Sequence, residues 1–124
     1  MSIIKIGLIG AGSIGVRHIM AIDALSDVAL VAIGDPSPAA QKIGTERSIP
    51  VFADADKMLS AGGIDAVIIA TPTERHHQDV MAALRHKVTV LVEKPITATL
   101  AEAQEITQFA LPLKVVIITN NVIT

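Results

Sequence analysis

Short apolar runs alternate with longer segments of mixed polarity along the whole chain of 124 residues. These runs are apolar at successive positions, whereas a strand with one solvated face would alternate apolar and polar residues. The pattern is therefore typical of parallel β-strands that are covered on both faces. It predicts six strands, at residues 3–9, 28–33, 51–52, 66–70, 88–92 and 115–118.

The segments between the runs carry apolar residues at helical spacing and predict five helices. The first begins near Ser13, and we expect its buried stripe to contain Ile14, His18, Ala21, Ile22 and Leu25. The second follows Asp35, where two prolines mark its start, and the third covers residues 54–61.

The last two helices carry explicit start signals. In the fourth, Thr71 and Glu74 are spaced for a capping box, with Pro72 at the first helical position. Its expected apolar stripe contains His77, Val80, Met81 and Leu84. In the fifth, Thr99 and Glu102 repeat the capping spacing, and the helix runs to about residue 110.

Strict alternation of strands and helices predicts an α/β fold with a doubly wound parallel sheet, the Rossmann fold. We expect three layers and the strand order 3-2-1-4-5-6, with residues 1–124 forming a single domain. Ligands bind such sheets at the carboxyl ends of the strands, where the strand order reverses.

A glycine-rich loop stands at that point. Gly10-Ala11-Gly12-Ser13-Ile14-Gly15 fits the pattern G-x-G-x-x-G, directly after a predicted strand and at the start of a helix. Gly10 permits a tight turn, Gly12 lets the backbone approach a pyrophosphate, and Gly15 lets the helix pack against the first strand. The helix N-terminus then offers unpaired N–H groups to the phosphates.

Asp35 follows the second strand, twenty residues after Gly15. A carboxylate at this point accepts hydrogen bonds from the adenosine ribose and repels a 2′-phosphate. No arginine, the residue that would bind a 2′-phosphate, follows within ten residues. The spacing therefore favours NAD over NADP. The alternative interpretation treats the glycines as a plain tight turn and Asp35 as a helix cap before Pro36.

Two further segments leave strands at the same edge. Thr71 and Pro72 follow the fourth strand, where a nicotinamide ring is expected to lie. Glu93 and Lys94 end the fifth, and Lys94 is placed to hydrogen-bond a substrate hydroxyl or to tune proton transfer from it. The alternative for Lys94 is a solvated side chain that forms a salt bridge with Glu93.

Composition narrows the function classes. The chain has no cysteine, and 51% of its residues are hydrophobic. Its net charge of -2 gives no electrostatic attraction to nucleic acid or to an anionic membrane. No apolar run is long enough to span a bilayer, so we expect a cytoplasmic protein. The group His76, His77, Asp79 and His86 is a poor metal site because adjacent histidines diverge on a helix.

With these motifs in place, the chain resembles the N-terminal part of the Gfo/Idh/MocA oxidoreductase family over about residues 3–110. The resemblance is carried by residues 6–15 with His18, Asp35-Pro36, Ala70-Thr71-Pro72 with His76, and Glu93-Lys94-Pro95 followed by Leu100 and Glu102. The chain departs from the family where Thr73 replaces the usual asparagine and Lys87 the helix-ending glycine.

The resemblance implies hydride transfer between NAD(P) and a hydroxyl carbon of a sugar, cyclitol or polyol. It implies that Lys94 is the catalytic residue on the substrate side. Together with the motifs, it assigns cofactor contacts to Gly10, Gly12, Ser13, Ile14, Gly15, Asp35, Thr71, Pro72, His76, Glu93 and Lys94.

The family's second domain, which supplies the substrate pocket, has no counterpart in this sequence. We therefore expect a chain that binds NAD but is inactive alone. The alternative is a non-catalytic NAD-binding or interaction module, for which self-association into a homo-oligomer is plausible. A flavodoxin-like or CoA-binding domain is a third interpretation, which the spacing of Asp35 does not support.

Overall fold

In the described part of the chain, eleven secondary-structure elements alternate as the sequence predicts. The computed structural model describes residues 3–94, 96–110 and 115–118, with the backbone alone at 109, 110 and 116–118. The strands are β1 (Ile4–Ile9), β2 (Val28–Gly34), β3 (Val51–Phe52), β4 (Ala66–Ile69), β5 (Thr89–Glu93) and β6 (Val115–Ile118). The helices are α1 (Ser13–Asp23), α2 (Pro38–Arg47), α3 (Ala55–Ser60), α4 (Thr73–Arg85) and α5 (Leu100–Ala110).

The six strands of the described ranges pair in parallel in one sheet, in the order β3-β2-β1-β4-β5-β6, which confirms the predicted Rossmann topology. The order reverses between β1 and β4, which are neighbours with Ile9 opposite Ile69. The carboxyl ends of β1, β2 and β4 therefore meet at one edge of the sheet, and this edge is where a ligand is expected.

Two buried apolar clusters cover the two faces of the sheet. One cluster includes Ile19 and Ile22 of α1 and Ala40 of α2. The other includes Met58 of α3, Leu84 of α4 and other residues of α4, with Ile106 of α5. The sheet thus lies between two helical layers, and its central strands are apolar because both of their faces are covered.

The predicted buried stripe of α1 is confirmed at Ile22 and is wrong at Ile14, Ala21 and Leu25, which are exposed. The buried residues are Gly15, Ile19 and Ile22, while Ile14 is 48% exposed and Leu25 is 56% exposed. The reason lies at Gly15, where an added Cβ would come within 2.2 Å of the carbonyl oxygen of Gly10. This backbone contact fixes the rotation of the helix about its axis. A pattern of side-chain hydrophobicity contains no information about such a contact.

The predicted start of α4 was also wrong, whereas that of α5 was partly confirmed. The hydroxyl of Thr71 donates a hydrogen bond to Asp79 instead of capping the helix, and Pro72 occupies the N-cap with φ −57° and ψ 151°. At α5, Thr99 Oγ1 accepts a hydrogen bond from the backbone N–H of Glu102 at 3.2 Å. The first turn of α4 is therefore shaped by a tertiary contact rather than by a local cap.

The C-terminus of α4 closes in a Schellman motif around Lys87. The N–H of Val88 donates to the carbonyl of Ala83 at 3.0 Å, and the N–H of Lys87 donates to that of Leu84 at 2.9 Å. Lys87 itself has φ 59°, in the left-handed region where glycine carries no steric penalty. The lysine that departs from the family pattern therefore occupies a position whose backbone favours glycine.

Replacing this lysine with glycine is expected to stabilise the protein. The substitution Lys87→Gly relieves the strain of a left-handed backbone at a residue with a side chain. This gain exceeds the entropic cost of ordering glycine on folding, so the free energy of unfolding rises by about 0.5–1 kcal/mol. Urea denaturation measures the change. As a control, Arg85→Gly at a right-handed helical position should lower the stability by about 1 kcal/mol. A less stable Lys87→Gly variant would contradict the prediction.

Candidate functional site

A cleft of about 770 Å³ opens at the edge of the sheet where the strand order reverses. Its volume falls within the usual range for small-molecule sites. Its lining comes from the segments that follow β1, β2, β3 and β4. The lining residues are Ile9, Gly10, Gly12, Ser13, Ile14, Gly34, Asp35, Pro36, Ala53, Asp54, Ala55, Ala70, Thr71, Pro72, Arg75 and Gln78.

The glycine loop forms the floor of this cleft. Gly10 turns the chain out of β1 with φ 93°, and a Cβ there would lie 2.8 Å from the backbone carbon of Ala70. Gly12 occupies the N-cap of α1 without a side-chain cap, and it is exposed along the cleft. The first N–H groups of α1 therefore lack a capping side chain, which is the arrangement that binds phosphate at a helix N-terminus.

Asp35 faces the glycine loop from the end of β2. Its Oδ2 accepts a hydrogen bond from the N–H of Ala11 at 2.7 Å, and its Oδ1 accepts one from the N–H of Ser37 at 2.7 Å. Partial burial raises the pKa of this carboxyl, but hydrogen bonds from the backbone of Ala11 and from the backbone and side chain of Ser37, with the charge of Arg75, together outweigh burial, so the pKa lies below its usual value. Asp35 is therefore a fixed anion, and each of its oxygens has a second lone pair for a ligand hydroxyl.

The opposite wall is the loop at Thr71, which is tied to α4 by both of its polar groups. The hydroxyl of Thr71 donates to Asp79 Oδ2 at 2.8 Å, and the carbonyl of Thr71 lies 2.9 Å from His76 Nε2. His76 and Asp79 are almost fully buried. Both residues therefore lie behind the loop and hold it, rather than lining the cleft themselves.

Asp79 is a buried carboxyl with several partners. Burial raises its pKa above the usual value, although the Thr71 hydroxyl and the Arg75 guanidinium oppose that shift. Arg75 reaches it from the preceding turn, with Nη2 3.7 Å from Oδ1. The sequence indicated Asp79 only as a poor metal ligand, and its contact with Thr71 shows that it shapes the wall of the cleft.

The carboxyl end of β5 is anchored to α1. Glu93 Oε1 lies 2.7 Å from His18 Nε2, and both side chains are mostly buried. The sequence left open a salt bridge between Glu93 and Lys94, but the carboxylate of Glu93 pairs with His18 instead. Lys94 is exposed, and within the described ranges no ion pair involves its amine.

The structure brings most of the predicted cofactor residues together. Seven of them line the cleft, namely Gly10, Gly12, Ser13, Ile14, Asp35, Thr71 and Pro72. The others lie nearby: Gly15 and His76 are buried behind it, while Glu93 and Lys94 stand at the end of the next strand.

Sequence reasoning missed Arg75 and Gln78 in the lining. Their position in the first turns of the helix after β4, facing the crevice, is the signal that would have found them.

Two other features of the described ranges concern alternative functions. No group of three or more His, Cys, Asp or Glu side chains there has an arrangement that could hold a metal ion. His77 instead lies against Glu105 and Glu102 of α5. No helix in this part of the chain combines the length and the apolar character that crossing a membrane requires.

Comparison with protein families gives a match over almost the whole chain. The model of the family described as "Oxidoreductase family, NAD-binding Rossmann fold", GFO_IDH_MocA, matches residues 4–121.

Individual relatives agree with the family match. The chain is 33% identical to the rhizopine catabolism protein MocA of Rhizobium meliloti, over 93% of this chain and 36% of that protein. It is 36% identical to inositol 2-dehydrogenase 4 of Saccharopolyspora erythraea, over 76% of this chain and 29% of that protein.

A solved structure matches both the fold and the sequence. It is scyllo-inositol dehydrogenase from Lactobacillus casei with bound cofactor NAD(H) and scyllo-inositol, with a TM-score of 0.87 and 30% identity. The match covers 94% of this chain and 36% of that structure. The chain thus spans about a third of the length of the relatives that it matches.

Proposed function

Because this chain belongs to the Gfo/Idh/MocA family of oxidoreductases, we propose that it is the NAD-binding domain of a dehydrogenase that acts on a hydroxyl group of a sugar, cyclitol or polyol. The observation that carries the proposal is the cleft. It places an uncapped helix N-terminus and the fixed carboxylate of Asp35 on either side of one glycine loop. Pyrophosphate and a ribose diol are the groups that such a pair binds.

NAD is preferred over NADP in this proposal. Asp35 is ionised at neutral pH, since its pKa lies below the usual value of 3.8, and a 2′-phosphate at the same ribose would meet that negative charge. Asp54 is a second carboxylate in the lining of the cleft. Both acidic groups favour the diol of NAD over a phosphorylated ribose.

The substrate side of the proposal rests on Lys94. Strands β4 and β5 are paired in register, with Ile69 opposite Val92, so Lys94 leaves the sheet at the same edge as Thr71. Its exposed amine is available to hydrogen-bond the hydroxyl that is oxidised. Relatives named as inositol dehydrogenases support a cyclitol or related polyol as the class of substrate.

We propose further that these 124 residues form one domain and that, without further protein, they bind NAD but do not turn over a polyol. The relatives devote about two thirds of their length to sequence that this chain does not match. A second candidate is a non-catalytic, self-associating NAD-binding module. Large apolar side chains that are exposed in this structure, such as Met20 at 66% and Leu25 at 56%, favour it.

Calorimetric titration tests the binding proposal. We expect heat with NAD and NADH, weaker binding of NADP by about tenfold or more, and none with FMN, which lacks adenosine and serves as the control ligand. The absence of both heat and a thermal shift at millimolar NAD(H) would overturn the proposal.

Turnover and mass separate the two candidates. The same preparation is assayed for NAD reduction with a panel of cyclitols and sugars, and its mass is measured by sedimentation. Polyol oxidation by these residues alone would contradict the expected lack of turnover. A stable oligomer that binds NAD would favour the module.

A further inference from the structure

Arg75 is the only cationic side chain among the described residues that line the cleft. It lies in the first turn of α4, where its backbone N–H donates to the carbonyl of Pro72 at 2.9 Å. The N-terminus of α1, which follows the glycine loop, belongs to a different segment of the cleft lining from Arg75. Arg75 is therefore a polar group of the cleft wall that is separate from the phosphate-binding loop.

The surroundings of Arg75 leave its guanidinium accessible. Its nearest charged partner is Asp79, at 3.7 Å, while the arginine side chain remains 48% exposed. An ion pair of this length with a half-exposed arginine is weak, so it orients the side chain without occupying its donors. Arg75 and Asp35 both line the cleft, and the charge of Arg75 also helps to lower the pKa of Asp35.

The position of the cleft segments limits what Arg75 can meet. In the proposed binding mode, the pyrophosphate lies at α1 and the adenosine ribose at Asp35. The base then continues past the ribose, away from the pyrophosphate. The lining residues available to meet the base include Ala53 and Asp54, which follow β3 next to β2, and Arg75 and Gln78 of α4.

A purine base in this space lacks an aromatic side chain to stack on. None of the described lining residues is aromatic, and the chain contains only two phenylalanines and no tyrosine or tryptophan. The guanidinium of arginine is planar and delocalised, and it stacks on aromatic rings in the way that an aromatic side chain does. Gln78, one turn further along α4, carries an amide that can hydrogen-bond the edge of a base.

We propose that Arg75 contacts the adenine of the bound dinucleotide face to face and so selects for the adenosine half of the cofactor. Asp79 is the positioning residue that aims the guanidinium. This inference rests on the proposed binding of NAD in the cleft, and it assigns to Arg75 a role that is distinct from phosphate binding.

Titration with fragments of the cofactor tests the contact. The ligands are NAD, ADP-ribose, which contains the adenosine half, and nicotinamide mononucleotide, which lacks it. The substitution Arg75→Ala is expected to weaken NAD and ADP-ribose by about 5- to 30-fold, the strength of a stacked cation, and to leave nicotinamide mononucleotide unchanged. The matched control is Arg85→Ala on the same helix, whose arginine faces Asp56 outside the cleft and whose affinities should stay unchanged.

A second variant separates stacking from charge. Arg75→Lys keeps the positive charge but loses the planar group, so it should restore only a minor part of the affinity for ADP-ribose. Full recovery with lysine, or equal weakening of nicotinamide mononucleotide in Arg75→Ala, would assign Arg75 to the phosphates and overturn the proposal. Thermal unfolding of each variant verifies that the half-exposed position tolerates the change.

The outcomes also separate this inference from the proposed function. If the unchanged chain binds neither NAD nor ADP-ribose, the proposed function fails and this inference fails with it. If the unchanged chain binds both and Arg75→Ala binds them equally well, only the role of Arg75 is rejected.

Discussion

The substitution Gly12→Ala is expected to remove most of the NAD affinity while the fold and its stability remain intact. Gly12 has φ −75° and ψ −164°, an extended backbone that any residue adopts, and a Cβ at this position meets no atom of the protein within 4 Å. In the proposed binding mode that space belongs to the pyrophosphate. A methyl group there causes overpacking of about 1–3 kcal/mol, which corresponds to about 5- to 150-fold weaker binding.

Calorimetry with NADH measures the affinity, and urea denaturation measures the stability. The neighbouring substitution Gly15→Ala is the informative comparison. A Cβ there would lie 2.2 Å from the carbonyl oxygen of Gly10, so we expect this variant to lose about 3 kcal/mol of stability. A Gly12→Ala variant that binds NADH as tightly as the unchanged chain would show that the pyrophosphate takes another path.

The substitution Asp35→Ala is expected to weaken NAD about 10- to 100-fold and to abolish the preference for NAD over NADP. The carboxylate is the acceptor for the ribose hydroxyls, and a hydrogen bond to a charged acceptor contributes about 1.5–3 kcal/mol. Removing the negative charge also removes the repulsion of a 2′-phosphate. Competition of NADP against NADH, followed by fluorescence, measures the selectivity. A variant that still rejects NADP would place the discrimination elsewhere.

The same carboxylate makes a contribution to stability that depends on pH. Its pKa in the folded protein lies below the usual value of 3.8, because the hydrogen bonds from Ala11 and Ser37, together with the charge of Arg75, outweigh the effect of burial. Above pH 3.8 this stabilisation is fully present, and it is lost as the pH falls through the lower folded pKa. The stability difference between the unchanged chain and Asp35→Ala should therefore be constant near neutral pH and shrink under acidic conditions.

The fold and the floor of the cleft were predictable because their signals are local. Six apolar runs and the segments between them determine which elements form, and the glycine loop stands between a strand and a helix with Asp35 after the next strand. Parallel pairing then brings the ends of those strands to one edge. The sequence consequently located the loop and Asp35 without any information about side-chain contacts.

The wall formed by α4 was predicted less well because its contacts are tertiary. Thr71 has the sequence signature of a helix cap, yet its hydroxyl binds Asp79, two turns along the helix. His76 was assigned to the cofactor through the family resemblance, whereas its ring contacts the carbonyl of Thr71 from behind. Local propensity does not distinguish these alternatives, since each depends on how closely the helix approaches the loop.

The hydrogen bond between Ala11 and Asp35 also affects how a ligand binds. It holds the middle of the glycine loop to the end of β2, and the contacts of Thr71 hold the opposite wall, so the protein's own hydrogen bonds order both walls. The conformational entropy of ordering both walls is thus lost during folding and not on association. We therefore expect a single fast association step without a slow rearrangement, with differences in affinity among dinucleotides expressed mainly in their dissociation rates.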